Sequence, residues 1–317
     1  MDARAIKQKA RELGFDRCGI APAADLPELS FFDQWLARGY GGTMAYLQRS
    51  AERRADVRRV VPTARSVIVT ATNYNTDRPY STECADPRRA QIARYAWGDD
   101  YHDVVGARLD GLLAWMREAS PEPFDARAYV DTGPVQERVY AQHAGVGWIG
   151  KNTCVINPEL GSWIFLGVII CSLPLPLDAP ATDQCGTCTL CLEACPTGAI
   201  VAPGVLDSNR CISYLTIELR GDVPRELEGG MGSHVYGCDV CQEVCPWNAV
   251  APRSGDAAWQ PRPAWDQVDL LTLADRSDDE LAAALRRSPM RRTKAQGLRR
   301  NVAIALRNAE ETDTRRR

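Results

Sequence analysis

Apolar and polar positions alternate at two different periods along this chain, and the switches between them mark out its elements. Ile6, Ala10 and Leu13 recur at helical spacing in MDARAIKQKARELGF, predicting a helix over residues 2–13, and the short run RCGIAP (17–22) reads as a strand. A second helical stripe covers 26–36 and is closed by glycines at 39, 41 and 42. SVIVTATNY (66–74) is a β-rich apolar run of buried-strand length. Apolar residues at 105, 109, 112, 113 and 116 give a core-facing stripe and predict a helix over 104–116. ARAYVD (126–131) reads as a strand ending on Asp131, and 135–144 as a helix. TCVI and WIFLGVII flank Asn157-Pro158-Glu159-Leu160-Gly161, which predicts a hairpin with a loop of about five residues. Helices and strands are thus mixed, and the first part of the chain reads as α+β.

Proline marks the boundaries. SLPLPLDAPA (172–181) closes the first segment, and APRSGDAAWQPRPAW (251–265) separates a cysteine-rich segment from a helical tail. The division expected is 1–175, 176–250 and 251–317. In the tail, Ser277 and Glu280 form a capping-box pattern opening a helix through Leu285, and Leu298, Val302, Ala305 and Leu306 supply another stripe.

The 317 residues suffice for one large or two moderate cores, and 45% apolar with 25% charged residues is ordinary for a soluble globular chain. A net charge of −3 gives no global attraction to nucleic acid, so such binding needs a local patch. The start lacks the apolar core of a signal peptide, and the longest apolar run, 163–171, is about half a membrane span. A cytoplasmic location with no membrane contact is expected. Disulfides are disfavoured there, so the twelve cysteines, eight of them within 185–245, need another explanation. Only three histidines are present, which counts against a His-rich zinc hydrolase.

Cys185-x2-Cys188-x2-Cys191-x3-Cys195-Pro196 has the spacing of bacterial ferredoxins, whose fourth cysteine ligates the other of two clusters. Cys238-x2-Cys241-x3-Cys245-Pro246 repeats it one cysteine short, and Cys211 completes the count of eight. Crossed assignment gives Cys185, Cys188, Cys191 and Cys245 to one [4Fe–4S] cluster, and Cys195, Cys211, Cys238 and Cys241 to the other. A structural zinc site is the alternative, but zinc sites use two separated knuckles rather than three cysteines in one run ending in Cys-Pro. Cys18, Cys84, Cys154 and Cys171 read as ordinary small residues. Two clusters carry electrons singly, so the upstream segment should hold the centre that receives them.

AGVGWIGKNT (144–153) spells both a dinucleotide fingerprint and a near P-loop. Its glycines follow a helix and lead into a strand, the reverse of what either motif needs, and Asn152 replaces the Mg²⁺-binding hydroxyl. Gly145 fits a helix C-terminus. Close approach of the remaining backbone to a large flat ligand would account for the rest. Asp100-Tyr101-His102 approaches a cobalt-binding Asp-x-His-x-x-Gly pattern, but the glycine falls at 106, one position late, so His102 is not taken as a cobalt ligand.

ARYAWGDDYH (93–102), YVDTGPVQERVYAQHAGVGWIGKNT (129–153), the paired cysteine runs and RCISYLTIELRG (210–221) together resemble the epoxyqueuosine reductase family over nearly the whole chain. The resemblance implies a nitroreductase-like cobalamin-binding domain, a two-cluster ferredoxin-like domain and a short helical C-terminal tail. It implies reduction of the epoxide of epoxyqueuosine at the tRNA wobble position, with cobalamin fed by two [4Fe–4S] clusters. An external one-electron donor such as flavodoxin or ferredoxin, and a monomeric state, are also implied. Asp131 matches the proton donor; a carboxyl with the usual pKa of about 3.9 is a poor acid at neutral pH, so its site should raise that value. The alternative for Asp131 is a cap on the helix starting near Pro134. Cobalamin contacts are implied for Arg54, Tyr95, Asp131, Lys151, Asn152, Thr153, Val155, Leu166 and Tyr214. For tRNA, the basic tail offers Arg291, Arg292, Lys294, Arg299 and Arg300, in a stretch without acidic residues. The competing readings are a cobalamin and iron–sulfur reductase of a small molecule, like the reductive dehalogenases, and a non-catalytic electron carrier.

Overall fold

The computed structural model describes residues 1–316; residue 317, the last of the expected tail, lies outside the described residues. Four strands build the main sheet: β1 (Arg17–Pro22), β2 (Ser66–Asn73), β3 (Ala126–Tyr129) and β4 (Ile164–Cys171). Their spatial order is β1-β2-β4-β3, with every pair antiparallel. All eight positions of β2 are buried, which is why its sequence is an unbroken apolar run rather than an alternating one. Both faces carry helices. Ile20, Ile68 and Ile169 pack under α1 (Ala3–Glu12) and α2 (Tyr101–Ala119). Val67, Val69, Val168 and Ile170 point the other way, against α3 (Glu137–His143).

The hairpin expected across residues 157–161 is not formed by the flanking runs. Val155–Ile156 pairs with Trp148–Ile149, and only an isolated bridge joins Asn157 to Gly161. β4 instead runs between β2 and β3, from Ser66↔Cys171 to Asn73↔Ile164 on one side. An apolar strand with two sides to bury gains more from the centre of a sheet than from a hairpin edge.

The cysteine-rich segment contributes α4 (Ile212–Ile217) and the short strand His234–Tyr236, which lies parallel to Gln91–Ile92. The tail carries the expected capping box at Ser277 and Glu280 and ends in α5 (Lys294–Arg316). Leu298, Val302 and Ala305 of α5 share a core with Ile92, Val235, Tyr236, Leu270 and Leu285. The tail is therefore packed onto a strand pair drawn from both preceding segments. No described helix is long and apolar enough to cross a membrane.

Candidate active site

A cavity of about 980 Å³ opens where the end of β3, the start of α2, the end of α4 and residues 289–292 meet. The fold delivers the reactive groups to it through two local devices. Asp100 caps α2 by accepting the main-chain N–H of His102 at 3.1 Å, which fixes the imidazole over the cap. Beyond β3 the chain turns sharply at Asp131, whose φ of 56° is left-handed, a conformation Asp tolerates better than most residues. The turn is held by Glu137, whose carboxylate accepts the Asp131 N–H at 2.8 Å, and by Gly133, where a side chain would strike the Tyr129 ring.

Asp131 is exposed to the cavity, with Tyr101 and His102 against one side of its carboxylate. The Tyr101 hydroxyl donates to its carboxylate at 3.1 Å, and His102 Nε2 lies 3.5 Å from the same oxygen. The other imidazole nitrogen, Nδ1, meets the fully buried Asp100 carboxylate at 2.7 Å. Burial alone would lower the His102 pKa, but hydrogen bonds and charge from Asp100 and Asp131 outweigh it and push the value up to about 9. Burial would raise Asp131, yet the hydrogen bond and charge of His102, with the Tyr101 hydroxyl, hold it below the usual carboxylate range. The expected upward shift of Asp131 is thus reversed. At neutral pH the proton of this pair resides on His102. Both its nitrogens are engaged by carboxylates. Capping does not explain Asp131 either, because α3 starts at Glu137 with Gln136 at its cap. Glu137 itself is pushed up to about 8 by burial and by the neighbouring Asp131 charge.

Aromatic rings form much of the wall. Tyr101 stacks on Phe165 at 4.6 Å and on His102 at 4.1 Å, and Tyr95 meets Tyr101 edge-on at 6.0 Å. Tyr46, Leu47, Leu109 and Ile217 add apolar surface. Volume and flat aromatic lining suit a large planar group. Of the residues expected to hold the cofactor, Arg54, Tyr95 and Asp131 line this cavity; Lys151, Asn152, Thr153, Val155, Leu166 and Tyr214 do not. Arg54 is fixed by Ser50 and by the Val135 carbonyl at 2.9 and 3.0 Å. Val155 is buried in a hydrophobic core, and Leu166 packs against that core from the central strand. Thr153 gives its carbonyl to Arg138, and the Tyr214 hydroxyl is engaged by Thr43.

The glycine run is closely packed on neighbouring protein segments. Gly145 ends α3 with φ 68°, and the bonds Val146 N–H to Ala141 and Gly145 N–H to Gln142 close a Schellman turn. A side chain at Gly147 would collide with the Ile156 carbonyl, and one at Gly150 with the Ile156 side chain. The backbone approach expected toward a corrin is made toward the strand Val155–Ile156.

Cys185, Cys188, Cys191 and Cys245, one complete crossed set, line a separate cavity of about 270 Å³ with Lys151 and Trp247. Among the described residues no group of His, Cys, Asp or Glu is gathered as a single metal ion requires. The cavity instead has room for a polynuclear group. In the second set, Cys238 and Cys241 are pushed well above the usual thiol range, Cys238 chiefly by burial and Cys241 chiefly by its hydrogen bond with Cys154 and then by burial. Cys211 is the cap residue of α4, whose last residue Ile217 lines the large cavity, and Cys238 stands two residues after Tyr236, which lines it too. The second set therefore borders the Asp131 cavity through two short elements.

At the rim the basic tail divides. Arg291 lies 3.4 Å from Asp100, and Arg292 pairs with Glu218 at 2.8 Å while its guanidinium covers Tyr46; both line the cavity. Lys294 is exposed. Arg299 and Arg300, also expected at the tRNA, are hydrogen-bonded within the fold. Arg299 bonds Asp278 and the Arg276 carbonyl at 2.7 Å each, and Arg300 donates to the carbonyls of Leu215, Leu219 and Gly221. Their guanidinium groups donate to main-chain carbonyls, and Arg299 pairs with one carboxylate, within the fold. His102, Tyr101 and Glu137 were not singled out as site residues from sequence, although Asp-Tyr-His at a helix start carried a signal for the first two.

Residues 54–132 match the family model described as epoxyqueuosine reductase QueG, DUF1730, and residues 184–248 match the 4Fe-4S double cluster binding domain. The epoxyqueuosine reductase of Gloeobacter violaceus is 46% identical over 311 residues, covering 96% of this chain and 95% of the relative. A crystal structure of an epoxyqueuosine reductase with an epoxyqueuosine-modified tRNA-Tyr stem loop superposes with TM-score 0.88 at 31% identity, covering 98% of this chain and 82% of that one. A structure of the Bacillus subtilis epoxyqueuosine reductase with its aspartate catalytic loop swung out of the active site superposes with TM-score 0.84, also at 31% identity and the same coverage. Family model, cysteine framework and full-length similarity agree: the chain belongs to the epoxyqueuosine reductase family and is an oxidoreductase.

Proposed function

We propose that this chain reduces the epoxide of epoxyqueuosine in tRNA to the alkene of queuosine, with Asp131 and His102 as the proton-transfer pair. The observation that carries the reading is the carboxylate–imidazole pair at the cavity wall, with the second cysteine set reaching that cavity through Ile217 and Tyr236. Loss of an epoxide oxygen as water consumes two electrons and two protons. Two [4Fe–4S] groups on the crossed cysteine sets would supply the electrons singly from an external donor. Cobalamin, when bound, would supply a reduced metal able to give electrons to a strained ring. Tyr95, Arg54 and Asp131, with the aromatic wall of Tyr46 and Tyr101, are the residues that would hold it.

The chain's own groups manage the protons. His102, charged at neutral pH, hands one proton to Asp131 across 3.5 Å, Asp131 presents it to the departing oxygen, and the second proton enters from solvent by way of His102. Asp100 keeps the imidazole oriented throughout. Tyr101 fixes the Asp131 carboxylate from the other side. The aspartate loop that is swung out in the Bacillus subtilis relative corresponds in this reading to the turn at Asp131, held in by Glu137.

The anticodon stem loop would meet the rim bearing Arg291, Arg292 and Lys294, and Arg49 also lines this cavity. In this reading a nitroreductase-like cobalamin domain spans 1–175, a ferredoxin-like domain 176–250, and the tail 251–317 supplies the RNA-facing rim. A basic rim suits an anionic polymer better than the small molecule of the dehalogenase-like alternative. The test uses protein loaded with iron, sulfide and cobalamin, a chemical reductant and an epoxyqueuosine stem loop. Conversion to queuosine is expected, and at saturating cobalamin the turnover of Asp131→Asn should fall at least ~100-fold. Intact clusters and bound cobalamin without conversion would refute the activity.

A further inference from the structure

We propose that the run Trp148 to Lys151 is an electrostatic collar for the cluster held by Cys185, Cys188, Cys191 and Cys245, stabilising the electron that this cluster takes up. The inference rests on the assignment of that cysteine set to one [4Fe–4S] group. Trp148 is 1% exposed, and its indole N–H donates to the Cys185 sulfur at 3.5 Å. A buried indole N–H left without an acceptor costs about 1–3 kcal/mol, so this contact stabilises the placement of Trp148 beside the cysteine. The ring also packs edge-on against Trp247 at 5.0 Å, two residues beyond Cys245. Trp148 is thereby fixed against both chain segments that supply ligands to the one cluster. Lys151 adds a full charge. Its ammonium donates to the carbonyls of Gly186 at 2.6 Å and Cys188 at 2.9 Å, inside the Cys185–Cys188 loop.

One-electron reduction moves an electron from the external donor to the cluster and adds one negative charge there. A sulfur-directed N–H and a nearby cation favour that charged state over the oxidised one, so both raise the cluster's potential. The residue after the run, Asn152, turns to the other set, donating to the Cys241 carbonyl at 3.2 Å rather than to a sulfur. The second cluster therefore serves as an internal control.

Full-length protein reconstituted with iron and sulfide would be titrated with a reductant while the reduced clusters are followed by electron paramagnetic resonance. In Trp148→Phe and in Lys151→Met, one cluster should become harder to reduce while the other keeps its wild-type midpoint. In wild-type protein exchanged into D₂O, the reduced cluster should show a deuterium hyperfine coupling that Trp148→Phe loses. This second measurement decides the matter if the Phe variant alters packing. Unchanged midpoints in both variants at full iron content, or no exchangeable coupling in the wild type, would overturn the collar and leave the proposed activity standing. Failure of the wild type to take up two clusters would overturn the cysteine assignment and the collar with it.

Discussion

Glu137 accepts the main-chain N–H of Asp131 at 2.8 Å, so the turn carrying the reactive carboxylate is latched by a side chain from the first turn of the following helix. The latch opposes a cost. A non-glycine residue at φ 56° is disfavoured by roughly 1 kcal/mol, and without its acceptor the turn is free to relax outward. Glu137→Ala should therefore lower kcat/KM for the stem loop by ~10-fold, the equivalent of one hydrogen bond, whereas Glu137→Gln keeps an acceptor and most of the activity. Single-turnover rates on the two variants check this, and equal rates for both would remove the latch.

The His102 pair makes stability depend on pH in a defined direction. Its pKa rises from 6.5 to about 9 on folding, so the contribution is fully present below 6.5 and disappears as pH rises through 9. His102→Gln should cost about 1–3 kcal/mol of unfolding free energy in acid-side buffers, discounted for the side of Asp131 that is open to the cavity. Above pH 9 the variant and wild type should converge. Denaturant midpoints measured across that range give the answer, and a gap that widens with pH would contradict the pairing.

Local covalent spacing was the most legible part of this chain. The eight cysteines were assignable because their intervals are read directly, and the stripe at 105–116 announced α2 because its periodicity is internal to one helix. The site was less legible because its geometry joins distant segments. His102 acquires its role from Asp131, 29 positions away, and no local pattern records that meeting. β4 misled for a different reason. Its apolar residues declare burial on both faces, but period alone does not name the strands beside it. Arg299 and Arg300 looked like a free basic patch because their partners, from 215–221 and 276–278, lie outside the stretch that carries them.

The rim arginines and the packed ones should separate experimentally. Arg291→Ala with Lys294→Ala should weaken stem-loop binding and reduce the log–log salt slope by about 1–2, with little change in thermal stability. Arg300→Ala should do the opposite. Removing its bonds to three carbonyls leaves partly buried acceptors unsatisfied, at about 2–3 kcal/mol, while the salt slope stays at its wild-type value. A drop in salt slope for Arg300→Ala, measured by titration at several ionic strengths, would return it to the RNA interface.

Crossed cysteine assignment is testable by pairs, because single substitutions cannot distinguish it from an assignment in sequence order. Cys188 and Cys245 line one cavity although 57 positions separate them, while Cys195, seven positions from Cys188, does not line it. Each [4Fe–4S] group holds four irons, so wild-type protein should bind about eight. The double variant Cys188→Ser with Cys245→Ser disables one cluster under crossed assignment and should retain about four irons. Cys188→Ser with Cys195→Ser disables both and should retain almost none. Assignment in sequence order reverses the two outcomes, since Cys188 and Cys195 would then share a cluster. Iron analysis with the intensity of the reduced-cluster resonance separates the cases, and about four irons on the Cys188–Cys195 double variant would refute the crossing.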